Sequence, residues 1–245
     1  MVNSLSRLEL QIGVNSVEKL KNSTVMIIGV GGVGSYAVEA LARSGIGRLI
    51  IVDKADVILT DMNRQIHAFP STIGQSKVQL MKDRILDINP KCEVTPLQMN
   101  LDEDTVESIF DFQADYIVDA IDTISNKILL ITESKKRNIP IICSMGAGNR
   151  LDPSQFQVAD ISKTTMDPIA KVLRHELKKR GITKGVKVVF SPVKPLIPKE
   201  ELYAEIGDPD SEIRKEQRPP SSNGFVSPSV GLILASVVVR DIIGM

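Results

Sequence analysis

A doubly wound α/β domain with a mainly parallel sheet is the fold this sequence predicts, and three observations predict it. Short apolar, β-branched runs alternate with helix-length segments from about residue 20 to residue 148. A glycine cluster, Gly29-Val-Gly31-Gly32-Val-Gly34-Ser35, fills the turn between the first run and the first long helix. An aspartate, Asp53, closes the second run. Strand, glycine turn, helix and strand together make a β-loop-α-β unit with its glycines at the carboxyl end of the first strand.

Each element has its own warrant. Thr24 to Ile28 has no helical period, as expected of a strand buried on both faces. Tyr36 to Ser44 reads as a helix that Gly45 and Gly47 stop, and Leu49 to Val52 as the second strand. Ser76 to Asn89 is a helix ended by Asn89-Pro90, because the residue before proline is pushed out of the helical region. Glu93 to Leu97 and Tyr116 to Ile121 supply the next strands, Ser125 to Asn138 a helix stopped by Pro140, and Ile141 to Cys143 a fifth strand opening onto Gly146-Ala-Gly148. Beyond these, Asp167-Pro168 has the residues of an N-cap and first helical position, with Gly181 as the stop, and Ile169, Val172, Leu173 and Leu177 form its apolar side. Lys187 to Ser191 is a strand, 192–223 a partly mobile loop, and the apolar stretch from Gly224 to Val239 a buried helix. The chain thus divides into a nucleotide-binding domain, 1–160, and a C-terminal extension of that domain, 161–245.

Composition narrows the class. At 245 residues, 42% hydrophobic and 24% charged, the chain is long enough to bury a core and too apolar to be disordered. Lys+Arg 30 against Asp+Glu 30 leaves no global field. Between Lys163 and Lys194, however, nine basic residues face two acidic ones, a local +7. Cys92 and Cys143 are the two cysteines, too few for a disulfide framework or a four-thiolate zinc site. The start, MVNSLSRLELQ, lacks the apolar core of a signal peptide, and the C-terminal apolar stretch falls short of a full span; the expectation is a cytoplasmic protein without a membrane span.

Gly29, Gly31 and Gly34 have the spacing of a dinucleotide fingerprint, with Gly32 added, so the backbone can approach a phosphate while the next helix offers its unpaired N–H groups. Asp53 stands where a carboxylate can accept from ribose hydroxyls. That pattern does not separate NAD, FAD and ATP. The segment after it does more: Asp61-Met-Asn63-Arg64-Gln65, Gly74-Gln-Ser-Lys77 and Asp119-Ala-Ile-Asp122 add cations and a carboxylate. Nucleotidyl transfer needs cations to offset charge on a triphosphate and its leaving pyrophosphate, and an edge carboxylate can hold Mg²⁺. A redox coenzyme, which keeps its pyrophosphate, has little use for them.

These motifs resemble the E1-like superfamily of carboxylate-adenylating enzymes, Rossmann-like in fold. Arg64-Gln-Ile-His67-Ala, Asp119-Ala-Ile-Asp-Thr123, Ser144-Met-Gly-Ala-Gly148, Leu151-Asp-Pro153 and Asp160-Ile-Ser-Lys-Thr164 are similar to its branch that dehydrates threonylcarbamoyladenosine in tRNA. The resemblance implies ATP-dependent cyclisation of t6A at tRNA position 37 through an acyl adenylate. It implies ATP and Mg²⁺ without zinc, a homodimer, a tRNA substrate and a possible sulfur-relay partner protein. Carried over residue by residue, it implies that Gly29, Gly31, Gly32 and Gly34 line the phosphates and that Asp53 holds the ribose. Asn63, Arg64 and Lys77 would meet the triphosphate, Asp122 would ligate Mg²⁺ as a catalytic residue with Arg64 and Lys77, Arg7 would reach the partner subunit's nucleotide, and Lys127 would be a further basic contact. Asp61, standing where the superfamily usually has Asn, would be a further nucleotide contact, and Ala55 stands where the superfamily often has Asp.

Two rivals stay open at this point: an activator that adenylates the C-terminus of a small ubiquitin-like or sulfur-carrier protein, and an NAD-dependent oxidoreductase. A non-catalytic tRNA-binding or sulfur-relay protein is a weaker third. The absence of any Cys-x-x-Cys argues against the zinc-bearing activators. Cys92 and Cys143 read as buried apolar residues, and His67 as either a nucleotide contact or a structural histidine. The basic stretch suits the phosphates of a tRNA anticodon arm or simply a solvated helix face.

Overall fold

The computed structural model describes residues 2–206 and 218–245, except the side chain of Ala204; residues 207–217 of the expected mobile loop lie outside the described residues. Seven strands form one sheet: β1 (Thr24–Ile28), β2 (Arg48–Val52), β3 (Glu93–Leu97), β4 (Tyr116–Asp119), β5 (Ile141–Ser144), β6 (Gln157–Asp160) and β7 (Lys187–Phe190). Their order is β3-β2-β1-β4-β5-β7-β6. Every pairing is parallel but the last, where β6 runs antiparallel to β7. The chain leaves β1 toward β2 and returns to β4 on the other side, which opens a crevice at the carboxyl ends of β1 and β4.

Alternation along β1 divides the core. Val25 and Ile27 enter one apolar cluster with α3 (Gly34–Arg43), α4 (Lys77–Ile88) and the C-terminal helix (Val226–Ile243). Met26 and Ile28 enter the other, with α5 (Val106–Phe110), α6 (Ile124–Lys136) and α7 (Pro168–Lys179). Both faces are covered, as a parallel sheet requires. The C-terminal extension contributes β7 and the helix over α3, and it shares the sheet and core of the preceding residues.

Several elements differ from the expectation. The fourth strand ends at Asp119, two residues early, because Asp119 Oδ1 accepts from Ile121 N at 3.0 Å and turns the chain. The third helix starts at Gly34, inside the glycine motif. Two N-terminal helices, α1 (Ser6–Ile12) and α2 (Val14–Lys21), and the short α5 were not read from the sequence; α1 buries no residue fully and so has no clear apolar stripe. Edge strand β6 was likewise missed, since it has two exposed residues and no apolar run.

The C-terminal helix is long and apolar enough to cross a bilayer by length and composition, and half of it is buried inside the protein. It crosses α3 at Gly231, where an added Cβ would lie 2.2 Å from Val33 O and 3.0 Å from Ala37 N. Near its end Asp241 accepts from Tyr116 Oη at 2.7 Å and from Lys187 Nζ at 2.8 and 2.6 Å, tying the helix to β4 and β7. Gly231→Ala should therefore lower unfolding stability by about 2 kcal/mol in urea titrations, as overpacking does. Ser236→Ala, on the exposed face, should stay within about 0.5 kcal/mol of the parent. Equal midpoints for the two variants would show that the helices do not cross at this glycine.

Candidate active site

The glycine motif separates into structural and open positions. Gly29 has φ +90°, and a Cβ on it would meet Ala120 O at 2.6 Å. One on Gly34 would lie 1.8 Å from Gly29 O. These two glycines let the turn close and α3 approach the strand. At Gly31 the nearest atom to a Cβ is Gln65 Nε2 at 3.8 Å, so the loop leaves open space at the crevice, where a ligand atom can approach the backbone. Gly32 lies against Arg64, whose Cγ is 3.0 Å from the same construction. Asp53 steadies the loop: its Oδ2 accepts from Val30 N at 2.7 Å and its Oδ1 from Ala55 N at 2.9 Å. The position where Asp is often found, Ala55, thus contributes its backbone here.

Residues 55–77 fold back on themselves. An antiparallel bridge joins Asp56 to Ser76, and Lys77 N donates to Ala55 O at 3.3 Å, which brings Lys77 to Asp61. Asp61 is 2% exposed. It accepts from Lys77 Nζ at 3.0 Å, from an Arg64 Nη at 3.3 Å, from Gln65 Nε2 at 2.5 Å and from Ile58 N at 3.1 Å. Asp61 was expected as a nucleotide contact; here burial and four donors make it the counterion of two cations at the crevice. Two cations over one carboxylate leave a local excess of positive charge, which favours an anion. Arg64 spends its other Nη on Thr60 O at 2.6 Å and on Asn63 Oδ1 at 3.1 Å. Asn63 is exposed and donates to Ser222 O at 3.0 Å.

Beneath this layer, Lys127 is 1% exposed and Asp119 fully buried. Lys127 Nζ donates to both oxygens of Asp119 at 2.9 Å and to Ser144 O at 2.8 Å. All three ammonium donors are used, so Lys127 is not a nucleotide contact, contrary to expectation; it joins β4, β5 and α6. The signal was in the sequence, since Lys127 falls with Ile124, Ile128 and Ile131 on one helical face. Asp122 lies exposed on the loop after β4, with Thr123 Oγ1 3.4 Å from its Oδ1. Arg7 is exposed on α1 and makes no hydrogen bond or ion pair among the described residues.

Other candidates take structural roles. Burial holds the Cys143 thiol far above its ordinary range and pushes Cys92 up to about 11, so neither is poised as a nucleophile. His67 is 3% exposed, and neither ring nitrogen has a hydrogen-bond partner among the described residues. The basic stretch is divided: Arg174 bonds Thr164, Lys179 and Arg180 pair with Glu176, and Lys187 pairs with Asp241. Lys163, Lys171, Lys178, Lys184 and Lys194 remain exposed. Sequence reasoning missed a buried pair, Arg150 Nη2 to Asp167 Oδ2 at 3.5 Å, which orders the turn after β5. Asp167 Oδ2 also accepts from Gly146 N at 3.1 Å, and Arg150 Nε donates to Gly146 O at 2.8 Å.

An open glycine loop, the Asp53 carboxylate and a cation pair therefore share the switch point of the sheet. The model of the ThiF family matches residues 5–243. The chain belongs to the ThiF family. Among its relatives, the tRNA threonylcarbamoyladenosine dehydratase of Bacillus subtilis (strain 168) is 56% identical over 243 residues, 99% of this chain and 96% of the relative. The enzyme of that name in Escherichia coli (strain K12) is 40% identical over 186 residues, 73% of this chain and 69% of the relative. A crystal structure of the E. coli dehydratase, TcdA, in complex with ATP superposes with TM-score 0.86 at 31% identity, covering 98% of this chain and 94% of that one. This ThiF-family chain has the E1-like fold of TcdA, with its seven-stranded, mostly parallel sheet.

His67 makes stability pH-dependent. Burial, with Lys77 and Arg84 adding to it and Asp61 opposing, lowers its pKa to about 4. The unfolded imidazole takes a proton near pH 6.5 and the folded one does not until about 4, so stability is full above 6.5 and falls as pH drops through that window. Between pH 6.5 and 4.5 the parent should lose about 2 kcal/mol more unfolding free energy than His67→Gln in urea titrations. Identical pH slopes would remove the assignment.

Proposed function

We propose that this chain is an ATP-dependent tRNA threonylcarbamoyladenosine dehydratase, acting on t6A at position 37. The observation that carries the reading is the cation pair Arg64–Lys77, held by Asp61 beside the open backbone at Gly31, in a chain related along nearly its whole length to enzymes of that name. An intact-pyrophosphate coenzyme would leave that pair without a task, and the relatedness favours neither a carrier activator nor an oxidoreductase.

The chemistry follows from the placement. The threonylcarbamoyl carboxylate attacks the α-phosphorus of ATP, forming an acyl adenylate and releasing pyrophosphate. Arg64 and Lys77 offset charge on the phosphates, and donors placed where charge develops lower the barrier. A nitrogen of the same modification then attacks the activated carbonyl, closes a ring and expels AMP, so one water is lost overall and appears in the hydrolysis balance of ATP. An intramolecular nucleophile needs no cysteine and gains from proximity. Among the described residues no cluster of three His, Cys, Asp or Glu could hold a metal alone. A donor set of one carboxylate, Asp122, suits Mg²⁺ bound mainly by triphosphate oxygens and water. Mg²⁺ held there would screen triphosphate charge.

We read the assembly as a homodimer: Arg7 is exposed and unused on α1, and apolar Leu10, Leu59 and Phe69 are exposed as well. We read the C-terminal helix as a core helix in a cytoplasmic enzyme without zinc or a membrane span. Lys194, just past β7, lies toward the carboxyl edge, whereas Lys178 and Lys184 precede β7 at the opposite end, so the anticodon arm meets at most part of the basic stretch.

Incubation with ATP, Mg²⁺ and t6A-containing tRNA, followed by nucleoside mass spectrometry, should give a product lighter by one water. Asp122→Ala and Arg64→Ala should each cut turnover by about 100-fold, the size typical of losing one charge-stabilising group. Full activity in either variant refutes its role. Asp61→Asn should behave differently: it leaves Lys77 buried without its counterion and costs about 3 kcal/mol in the free protein. Because triphosphate can replace the lost carboxylate, ATP should raise the Tm of this variant more than that of the parent. An equal or smaller rise would show that Lys77 does not meet the nucleotide.

A further inference from the structure

Residues 218–225 cross the carboxyl edge of the sheet as a strap, fastened on two sides. On one side Asn149 Oδ1 accepts from Ser221 N at 2.8 Å and from Ser221 Oγ at 3.0 Å, while Asn149 N donates to Ser221 O at 2.9 Å. On the other, Asn63 Nδ2 donates to Ser222 O at 3.0 Å. Asn223 fixes the far end: its Nδ2 donates to Arg150 O at 2.8 Å, and its Oδ1 accepts from Val226 N at 2.8 Å to start the C-terminal helix. The crossings are tight. A Cβ on Gly148 would lie 2.9 Å from Pro220 Cβ, and one on Gly224 would lie 2.9 Å from Asn63 O.

Asn149 has φ +60°, a left-handed conformation that glycine adopts at lower cost. An asparagine there spends its side chain on the strap, and Arg150, 7% exposed and paired with Asp167, anchors the turn that carries it. Topology says which side of the site the strap serves. Phosphates belong at the glycine loop after β1, and the ribose beside Asp53 after β2. The acid that attacks the α-phosphorus must then enter from the β4, β5 and β7 side, where the Gly146–Arg150 turn and the strap lie.

We propose that Asn149 is a positioning residue for the adenylyl acceptor: through the strap it sets the wall that the threonylcarbamoyl side chain meets beside Asn63. The inference rests on the functional reading above. Asn149→Gly keeps the backbone conformation and the backbone bond to Ser221 O, and removes both side-chain bonds to Ser221. Asn149→Asp keeps an oxygen that accepts both. With t6A-tRNA as varied substrate at saturating ATP and Mg²⁺, the glycine variant should raise KM about 10-fold, the aspartate variant should stay near the parent, and Kd for ATP should move less than about twofold in both. Should Asn149→Gly not fold, Ser221→Ala, which removes one of the two bonds to the Asn149 side chain, should shift KM in the same direction by a smaller factor. An unmoved KM in the folded glycine variant, an equal loss of ATP affinity, or no rescue by aspartate overturns the inference. Parent enzyme that makes no lighter nucleoside sinks the functional reading and the inference with it; parent turnover with an unmoved KM sinks the inference alone.

Discussion

A lysine almost without solvent holds the reactive edge of this protein together. Lys127 donates to both carboxylate oxygens of Asp119 at 2.9 Å, and the third ammonium donor reaches Ser144 O. A buried charge pair is costly to create, and a hydrophobic pair of similar volume often does as well for stability. Its effect here is geometric. It joins the ends of β4 and β5 to the first turns of α6, directly below the loop that carries Asp122. Because β4 neighbours β1, the position of that loop relative to the glycine turn is set by a contact no ligand can reach.

Above it lies a second carboxylate of a different kind. Asp61 gathers Lys77, Arg64, Gln65 and the backbone of Ile58, and keeps two cations together before any substrate arrives. Like charges brought close would repel, and a shared counterion reduces that cost while leaving a positive excess for an anion. The asparagine usual at this position in the superfamily can accept hydrogen bonds but cannot neutralise. This chain therefore holds the charges of Arg64 and Lys77 in a partly compensated form.

Much of the architecture was legible. β1 and β2 are continuous apolar runs because both faces are covered, and α7 shows its cap, its stripe and its glycine stop in order. β6 was not legible: an edge strand that is half exposed needs no apolar run, and its pairing depends on β7 from 27 residues beyond its end. α1 was hidden for a related reason, since a helix that buries nothing fully leaves no period to read.

At the site, the sequence alone determined which chemistries were available: glycines in the turn after β1, a carboxylate at Asp53 closing β2, and cations at 64 and 77 in excess of what a redox coenzyme needs. These follow from residue type and local spacing, which a linear reading contains. Only the tertiary structure decided which charges face the crevice and which face each other. Lys127 and Asp61 carry the same formal charges wherever they lie; burial and the partners that the fold brings against them turned one into a strut and the other into a counterion. The strap from residue 218 to 225 belongs to the same class, because bonds from Asn149 and Asn63, 72 and 159 residues away along the chain, have no local signature. Electrostatics and hydrogen bonding act through space, and the sequence records only distance along the chain.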